Sequence, residues 1–321
     1  MDSFGLFRTL ASLDHGLFTT ADAASLGIGA DRLQREVRRG TVVRLTRGQY
    51  AVRDRMTGGS ERRHRLRTRA VLASLGAGYV ATHHSALLVY NLPTLTPDLA
   101  TVHVGSREIK RAAAAKGYRR HVLPKATALA QTQPAAVAPA VAIVQTGILE
   151  GPRAALVAGD AALRRGRPDL LKGPIEFGNT SPQEIVQALA AYRRVPGKAP
   201  VEQILQLVDP RAESAGESLL RYDLVLLRVP VEPQFKLTVG QHTHRADFRV
   251  AGTRLLIEFD GLVKLNDPLE GRRADERERA LKRQGWIFVR FTWSELGNLE
   301  LIANRLAAAA AEAGIPWPVA A

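Results

Sequence analysis

The sequence predicts a mixed α/β protein built from more than one domain. Three observations carry that reading. The chain has 321 residues, 45% of them hydrophobic, which is more than one core usually holds and enough apolar material for two or three. Helical and β-rich runs alternate along the chain, in an order that changes between its two ends. The charge is divided unevenly: residues 1–130 carry 21 Lys and Arg against 9 Asp and Glu, whereas residues 131–321 carry 24 against 22. The net charge of +14 and the pI near 10.6 therefore belong to the N-terminal part. A concentrated positive field attracts a polyanion. Nucleic acid is the commonest one, and an anionic membrane surface is the weaker alternative.

Absences narrow the function classes. There is no cysteine, which excludes disulfides and cysteine-ligated zinc. Met1-Asp2-Ser3-Phe4 has neither the basic start nor the apolar run of a secretory signal, and no run reaches membrane-spanning length. A cytoplasmic protein without a membrane partner is expected. No Gly-x-Ser-x-Gly elbow and no Walker A loop occurs, which speaks against a serine hydrolase and against ATP-driven action.

At the N-terminus, Phe4, Phe7, Leu10 and Leu13 recur at helical spacing, and Gly16 ends that helix. Thr20 is placed to cap a short helix over 21–26, which Gly27 stops. A third helix over 30–39 buries Leu33 and Val37 and presents Arg32, Arg35, Arg38 and Arg39, with Gly40 as its stop. Two β-rich runs, 41–45 and 49–52, are joined through Thr46-Arg47-Gly48 and read as a hairpin. Three helices followed by a basic hairpin describe a winged helix-turn-helix over residues 1–55. The third helix would contact phosphates and base edges. Arg44 and Arg47 on the wing would contact phosphates.

Residues 60–195 read as a mixed α/β middle region. After a polar linker over 53–60, Arg62, Arg63, Arg65, Arg67 and Arg69 run into the apolar 70–75, predicting a helix that either tracks a DNA backbone or presents a solvated charged face. Thr82 would cap a helix over 83–90. Residues 101–104 and 141–144 look like strands, 110–120 is another basic stretch, and 154–165 looks helical. Ser181-Pro182-Gln183-Glu184 is a capping box with proline at the first helical position, for a helix reaching about residue 192. Residues 196–200 read as a linker. The adjacent His83 and His84 are poor metal-ligand candidates, because neighbours at a helix start rarely share an ion.

Residues 200–321 read as helix (213–227), three strands (231–237, 246–250 and 254–259), a charged helix (269–284), a strand (286–291) and a terminal helix (306–313). His242 and His244 fall in a predicted turn, solvated. The informative residues are acidic. Asp247, Glu258 and Asp260 sit in or beside runs that otherwise read as buried strands, and burying a carboxylate is costly unless it is paired or bound to a metal. Folding back at Ala251-Gly252-Thr253 places Asp247 beside Glu258, within about one residue. Glu217 on the preceding helix can point to the same spot. Hard oxygen ligands of this kind suit Mg²⁺ or Mn²⁺. The alternative is a purely structural cluster, with Arg221 and Arg249 neutralising the acids and Glu217 and Arg221 forming a surface pair. Trp286 and Trp293 read as core.

Two family resemblances follow from these residues. Glu217-Ser218-x-x-Arg221, Ala246-Asp247-Phe248, Ile257-Glu258-Phe259-Asp260-Gly261 and Gly285-Trp286-x-x-Val289-Arg290-Phe291 resemble the very-short-patch-repair-like branch of the PD-(D/E)XK nuclease superfamily. This implies a restriction-endonuclease-like α/β/α domain, with Asp247 and Glu258 as metal ligands and Glu217 as a supporting acid. Asp260 stands where the superfamily pattern has its lysine, and Lys264 is the candidate substitute cation. Gly16-Leu17-Phe18-Thr19, Ala23-x-x-x-Gly27, Leu33, Val37-Arg38-Arg39-Gly40 and Arg47-Gly48-Gln49-Tyr50 resemble the antitoxin of AbiE-type toxin–antitoxin systems. That implies a repressor of its own operon that opposes a nucleotidyltransferase toxin, in phage defence. The expected function is a Mg²⁺-dependent DNA endonuclease targeted by a winged helix. The alternative is an antitoxin-like repressor whose nuclease-like domain is inert.

Overall fold

The computed structural model describes residues 5, 7, 9, 12, 16–171, 177–239, 242–261, 276 and 278–317. The chain is mixed α/β and divides into two compact units, residues 1–155 with 180–203 and residues 156–179 with 204–321.

The first unit opens with β1 (Leu17–Thr19), α1 (Thr20–Ser25), α2 (Ala30–Arg39), β2 (Val42–Thr46) and β3 (Gln49–Val52). Thr19, not Thr20, caps α1. Its hydroxyl accepts from the Asp22 amide at 3.0 Å while the Asp22 carboxylate accepts from the Thr19 amide at 2.7 Å. The reciprocal box needs an acid three residues after the cap, and Asp22 stands at that distance from Thr19. Helix α2 stops at Gly40, which takes the left-handed φ of 78° that a side chain disfavours. β3 lies between β1 and β2, antiparallel to both. Phe7, Phe18, Ala23, Ile28, Leu33, Val42, Tyr50 and Val52 form the core of this winged helix. Most of the helix expected over 2–14 lies outside the described residues.

Helix α3 (Ser60–Leu75) lays Leu66 and Ala70 on Leu17 and Ala51. It is followed by β4 (Val80–Ala81), α4 (His83–Val89), β5 (Val102–Ser106), β6 (Ala113–Ala115), β7 (Tyr118–Val122), β8 (Leu129–Ala130) and β9 (Ala136–Val137). Their sheet has the order β6-β7-β5-β4-β9-β8, with β5 and β7 parallel. The strand expected over 141–144 is instead part of α5 (Pro139–Glu150). Residues 140–147 are all buried there, so the helix has no polar face to give it a 3.6-residue period, and an apolar run without that period reads equally as strand. α6 (Pro152–Arg165) and α7 (Pro168–Leu171) follow. α8 (Pro182–Ala191) begins at the Ser181–Glu184 capping box. The linker expected over 196–200 is overtaken by α9 (Lys198–Leu205), whose first turn accommodates Pro200 because the amide that proline lacks would be unpaired there.

The C-terminal elements are α10 (Ala215–Leu226), β10 (Val231–Val239), β11 (His242–Val250), β12 (Leu255–Phe259), β13 (Ile287–Phe291) and α11 (Leu299–Glu312). The sheet order is β10-β11-β12-β13, antiparallel except for the parallel pair β12 and β13. A parallel pair needs a crossover. The crossover contains helical residues 278–283, and the rest of the charged helix expected over 269–284 lies largely outside the described residues. His242 and His244 are in β11 rather than in a turn, because β10 and β11 continue their pairing to Val239 and His242. Leu220 and Leu224 of α10, Phe248, Val250, Ile257, Val289 and Phe291 of the sheet, and Ile302 and Leu306 of α11 form one core.

Helix α10 reaches the sheet at a glycine. A Cβ on Gly216 would lie 2.0 Å from the Phe259 ring, so only a residue without a side chain permits this approach. Gly216→Ala is expected to destabilise the C-terminal unit by about 1–3 kcal/mol through overpacking, and Phe259→Ala in that background to recover part of the loss. All three tryptophans, Trp286, Trp293 and Trp317, lie in this unit, so urea unfolding followed by tryptophan fluorescence reads it selectively. An unchanged midpoint in Gly216→Ala would refute the contact.

Candidate functional site

Two chemically opposite surfaces stand out. The first is cationic and belongs to the winged helix. Helix α2 turns Leu33 and Glu36 inward and leaves Arg35, Arg38 and Arg39 exposed, with Arg32 half-buried. The buried Glu36 carboxylate is held by the Thr41 hydroxyl at 2.5 Å and by Arg39 at 3.3 Å. It thereby ties the end of the helix to the start of the wing. Arg44 and Arg47 are both exposed on the β2–β3 hairpin, which turns at Gly48 with φ 74°.

Helix α3 adds to this charge. Arg62 is exposed, whereas Arg63 and Arg65 are half-buried. Arg63 donates to the Gly58 carbonyl at 2.8 Å, and Arg65 lies 3.9 Å from Glu61. Arg55, Arg62, Arg65 and Arg69 line a hollow of about 210 Å³ with Leu66. Four guanidinium groups around one hollow repel each other unless an anion joins them, and planar forked donors match phosphate oxygens. Arg67 and Arg69 reach back to the Leu99 and Gln133 carbonyls, at 3.4 and 3.2 Å.

The second surface is acidic and belongs to the C-terminal sheet. The register pairs Phe248 with Ile257, which sets Asp247 opposite Glu258. One Asp247 oxygen accepts from the Phe259 amide at 2.7 Å. The buried Glu217 accepts from Gln234 at 2.9 Å and from the Glu213 amide at 3.0 Å. Burial, with Glu217 beside it, pushes the Asp247 carboxyl up to about 7 against the opposing Phe259 amide, with Glu258 and Glu213 adding to the rise. Burial also raises Glu217. A group of acids that hold each other's protons is a donor set suited to a hard divalent cation. Glu258 is already engaged, with Arg290 at 3.0 Å and His244 at 3.2 Å. Arg290 also binds Glu278, at 2.5 Å.

Residues 7–53 match the AbiEi antitoxin family of transcriptional regulators. The match covers the winged helix and stops before α3. No curated protein matches the chain. Among the described residues, no helix is long and apolar enough to cross a membrane.

The arginines that sequence reasoning selected thus lie on the AbiEi-type winged helix and on the helix that follows it. Of the acids, Glu217, Asp247 and Glu258 are brought together. Asp260 is exposed beyond the end of β12, its amide bonded to the Phe291 carbonyl at 2.8 Å, and Lys264 lies outside the described residues. The neutralising partners differ from those expected. Arg221 binds Asp160 of α6 at 2.7 Å, and Arg249 binds Glu232, its direct partner in the β10–β11 register, at 2.5 Å. Arg290 and His244 stand at Glu258 instead, and Arg245 binds Glu213 at 2.5 Å. Trp286 is half-buried against Phe235, but Trp293 is 42% exposed, because it follows the end of β13. Arg290 was legible only as part of a strand motif, since its role depends on a parallel register between distant segments.

The raised Asp247 sets a pH dependence. Its folded pKa, about 7, lies above the ordinary carboxylate value near 3.9, so between them the folded state holds a proton that the unfolded state has released. Stability from this group is present at low pH and is lost as pH rises toward 7. In EDTA, the C-terminal unit is expected to lose about 1–3 kcal/mol between pH 5 and pH 8, allowing for partial exposure. Asp247→Asn should flatten this slope. Tryptophan-monitored urea titrations at the two pH values check it, and equal slopes in both proteins would overturn the assignment.

Proposed function

We propose that the protein is a DNA-binding transcriptional regulator of antitoxin type, which holds operator DNA through α2 and the β2–β3 wing. The observation that carries this reading is the row of arginines on α2, exposed on a winged helix whose residues match a regulator family. Helix α2 supplies the side chains for the major groove, and Arg44 and Arg47 flank it for the phosphates. The arginine-lined hollow at α3 extends the phosphate track. In the finer form of this reading, the chain represses its own operon and opposes a nucleotidyltransferase toxin.

Anisotropy titrations of a promoter fragment across a salt series test it. Arg35→Ala or Arg38→Ala should weaken binding by about 1–3 kcal/mol and relax sequence preference, whereas Arg47→Ala should weaken all sequences alike and reduce the salt slope by about 1. Binding indifferent to sequence in the unaltered protein would count against the regulator.

The raised Asp247 beside Glu217 and Glu258 favours a second activity for the C-terminal unit, metal-dependent hydrolysis of DNA phosphodiesters. Asp247 and Glu258 would hold Mg²⁺ or Mn²⁺, which supplies a bound water of lowered pKa and neutralises phosphate charge. Glu217 orients Gln234 and the Glu213 amide around the acids. Arg290 holds Glu258 in position through a 3.0 Å contact. Supercoiled plasmid incubated with Mg²⁺, Mn²⁺ or EDTA should be nicked only with metal, and Asp247→Ala should stop nicking while DNA binding persists. Absence of cutting with either metal would leave the acidic centre as scaffold and the regulator as the whole function.

A further inference from the structure

Five of the eight histidines, drawn from four separate places in the sequence, meet in the N-terminal unit. Ring centroids of His64 and His84, His84 and His103, His103 and His121, and His83 and His121 lie 5.1, 4.8, 5.0 and 4.2 Å apart. Two of the five are spent on structure. His64 uses both ring nitrogens, on the Leu99 carbonyl at 3.0 Å and the Ser85 hydroxyl at 2.8 Å. His84 uses both as well, on Glu150 and on the Thr101 carbonyl at 3.3 Å. The other three face each other. One ligand atom from each of His83, His103 and His121 lies within 4.8 Å of the other two, and His103 Nδ1 is 2.9 Å from His121 Nε2.

We propose that His83, His103 and His121 bind a divalent transition metal of the zinc type, with its fourth position open to the adjoining cavity. Three imidazoles are a sufficient protein set for a zinc ion that keeps one position for water or a small ligand. With bonds of about 2.0–2.1 Å, tetrahedral nitrogens stand roughly 3.4 Å apart, so the three rings need small adjustments to close on an ion. The backbone delivers each ring. His103 on β5 and His121 on β7 are diagonal neighbours on one face of a parallel pair, in which Gly105 is opposite His121. His83 opens α4 at φ 51°, a left-handed conformation that non-glycine residues adopt rarely and that concentrates at functional positions. Its Nδ1 bonds the Thr82 hydroxyl at 2.9 Å, the outer contact that fixes the tautomer of a ligating imidazole and leaves the opposite nitrogen for metal.

The surroundings suit the same ion. His83 and His121 line a cavity of about 450 Å³ together with Gln145, Tyr192 and Arg193. Gln145 accepts from the His83 amide at 3.1 Å and donates to the Tyr192 hydroxyl at 2.6 Å, so polar groups stand around the open side. Burial holds all three imidazoles neutral, the form that ligates. No cysteine competes for the metal, which favours nitrogen coordination.

The test uses the full chain, stripped with chelator and titrated with Zn²⁺ and, for its visible spectrum, with Co²⁺, in excess Mg²⁺ to occupy the carboxylates. One equivalent is expected to bind, with the intense visible bands of a low-coordinate cobalt–nitrogen site. His121→Gln, at the half-buried rim, and His103→Gln should each weaken binding by at least about 100-fold, the upper range for loss of an outer contact alone. Thr82→Val, close in shape, should weaken it about 10-fold. His244→Gln, in the acidic centre, should change nothing, and circular dichroism verifies that each variant is folded. No stoichiometric uptake by the unaltered protein, or uptake equal in folded His121→Gln, would overturn the proposal.

Discussion

A polar group taken out of water must be met by another, and the C-terminal unit is arranged around one such meeting. Arg221 of α10 binds Asp160 of α6 at 2.7 Å, and both are buried. Asp160 also accepts from the Asp209 amide at 2.7 Å, and Arg221 is 2.5 Å from the Leu207 carbonyl. Such a pair adds little net stability, but leaving either charge alone costs about 3–5 kcal/mol. The pair therefore fixes the rotation of α10 about its own axis. Glu217 lies one turn before Arg221 and shares its face, and Gly216 next to it meets Phe259. The ion pair thus determines which side of α10 lies on the sheet and brings Glu217 to the acids of β11 and β12.

The N-terminal unit meets the same constraint with neutral groups. Ser85 accepts from the His103 amide at 2.9 Å and bonds His64 at 2.8 Å, and Tyr90 donates to the Val137 carbonyl at 2.7 Å. Among the described residues of this unit, the acids taken out of water are met by partners, Glu36 by Arg39 and Glu150 by His84. The excess of arginine is left on the outside, where water solvates it in the absence of a partner. The cost of this surface is mutual repulsion, which a polyanion relieves. A scaffold with neutral polar contacts inside and cations outside is stable without the polyanion and attractive to it.

What the sequence revealed follows the range of the interactions involved. Helix α2 was legible to the residue because its signals are local: Leu33 and Val37 on one face, arginines on the other and Gly40 at the stop. The Ser181–Glu184 box was legible for the same reason, and the β11–β12 register followed from a turn of three residues. α5 was misread because complete burial erases its periodicity. β1, only three residues long, exists through its pairing with β3 and leaves no local trace. The histidine cluster was the least visible feature. His83 and His84 were judged as neighbours in sequence, whereas the partners of His83 are His103 and His121, set beside it by a parallel strand pair.

Arg290 is where the two functional readings of the acidic centre separate. Two residues after Glu258, where the nuclease pattern that these acids resemble would have a lysine, this chain has the exposed Asp260. The nearest cation is instead Arg290, because the parallel register sets Arg290 of β13 beside Glu258 of β12. A guanidinium cannot give up its proton at any accessible pH, so Arg290 cannot serve as a general base in the way a lysine can. It can neutralise charge on a phosphate, but its 3.0 Å contact with Glu258 occupies a carboxylate that a metal would need. A working nuclease therefore requires Arg290 to release Glu258 when metal enters, with Glu278 as the acid that can retain it. A scaffold requires no such exchange, since Arg290, Glu258 and Glu278 already satisfy one another. The chemistry of the C-terminal unit thus depends on whether a divalent cation competes successfully with one arginine for one carboxylate.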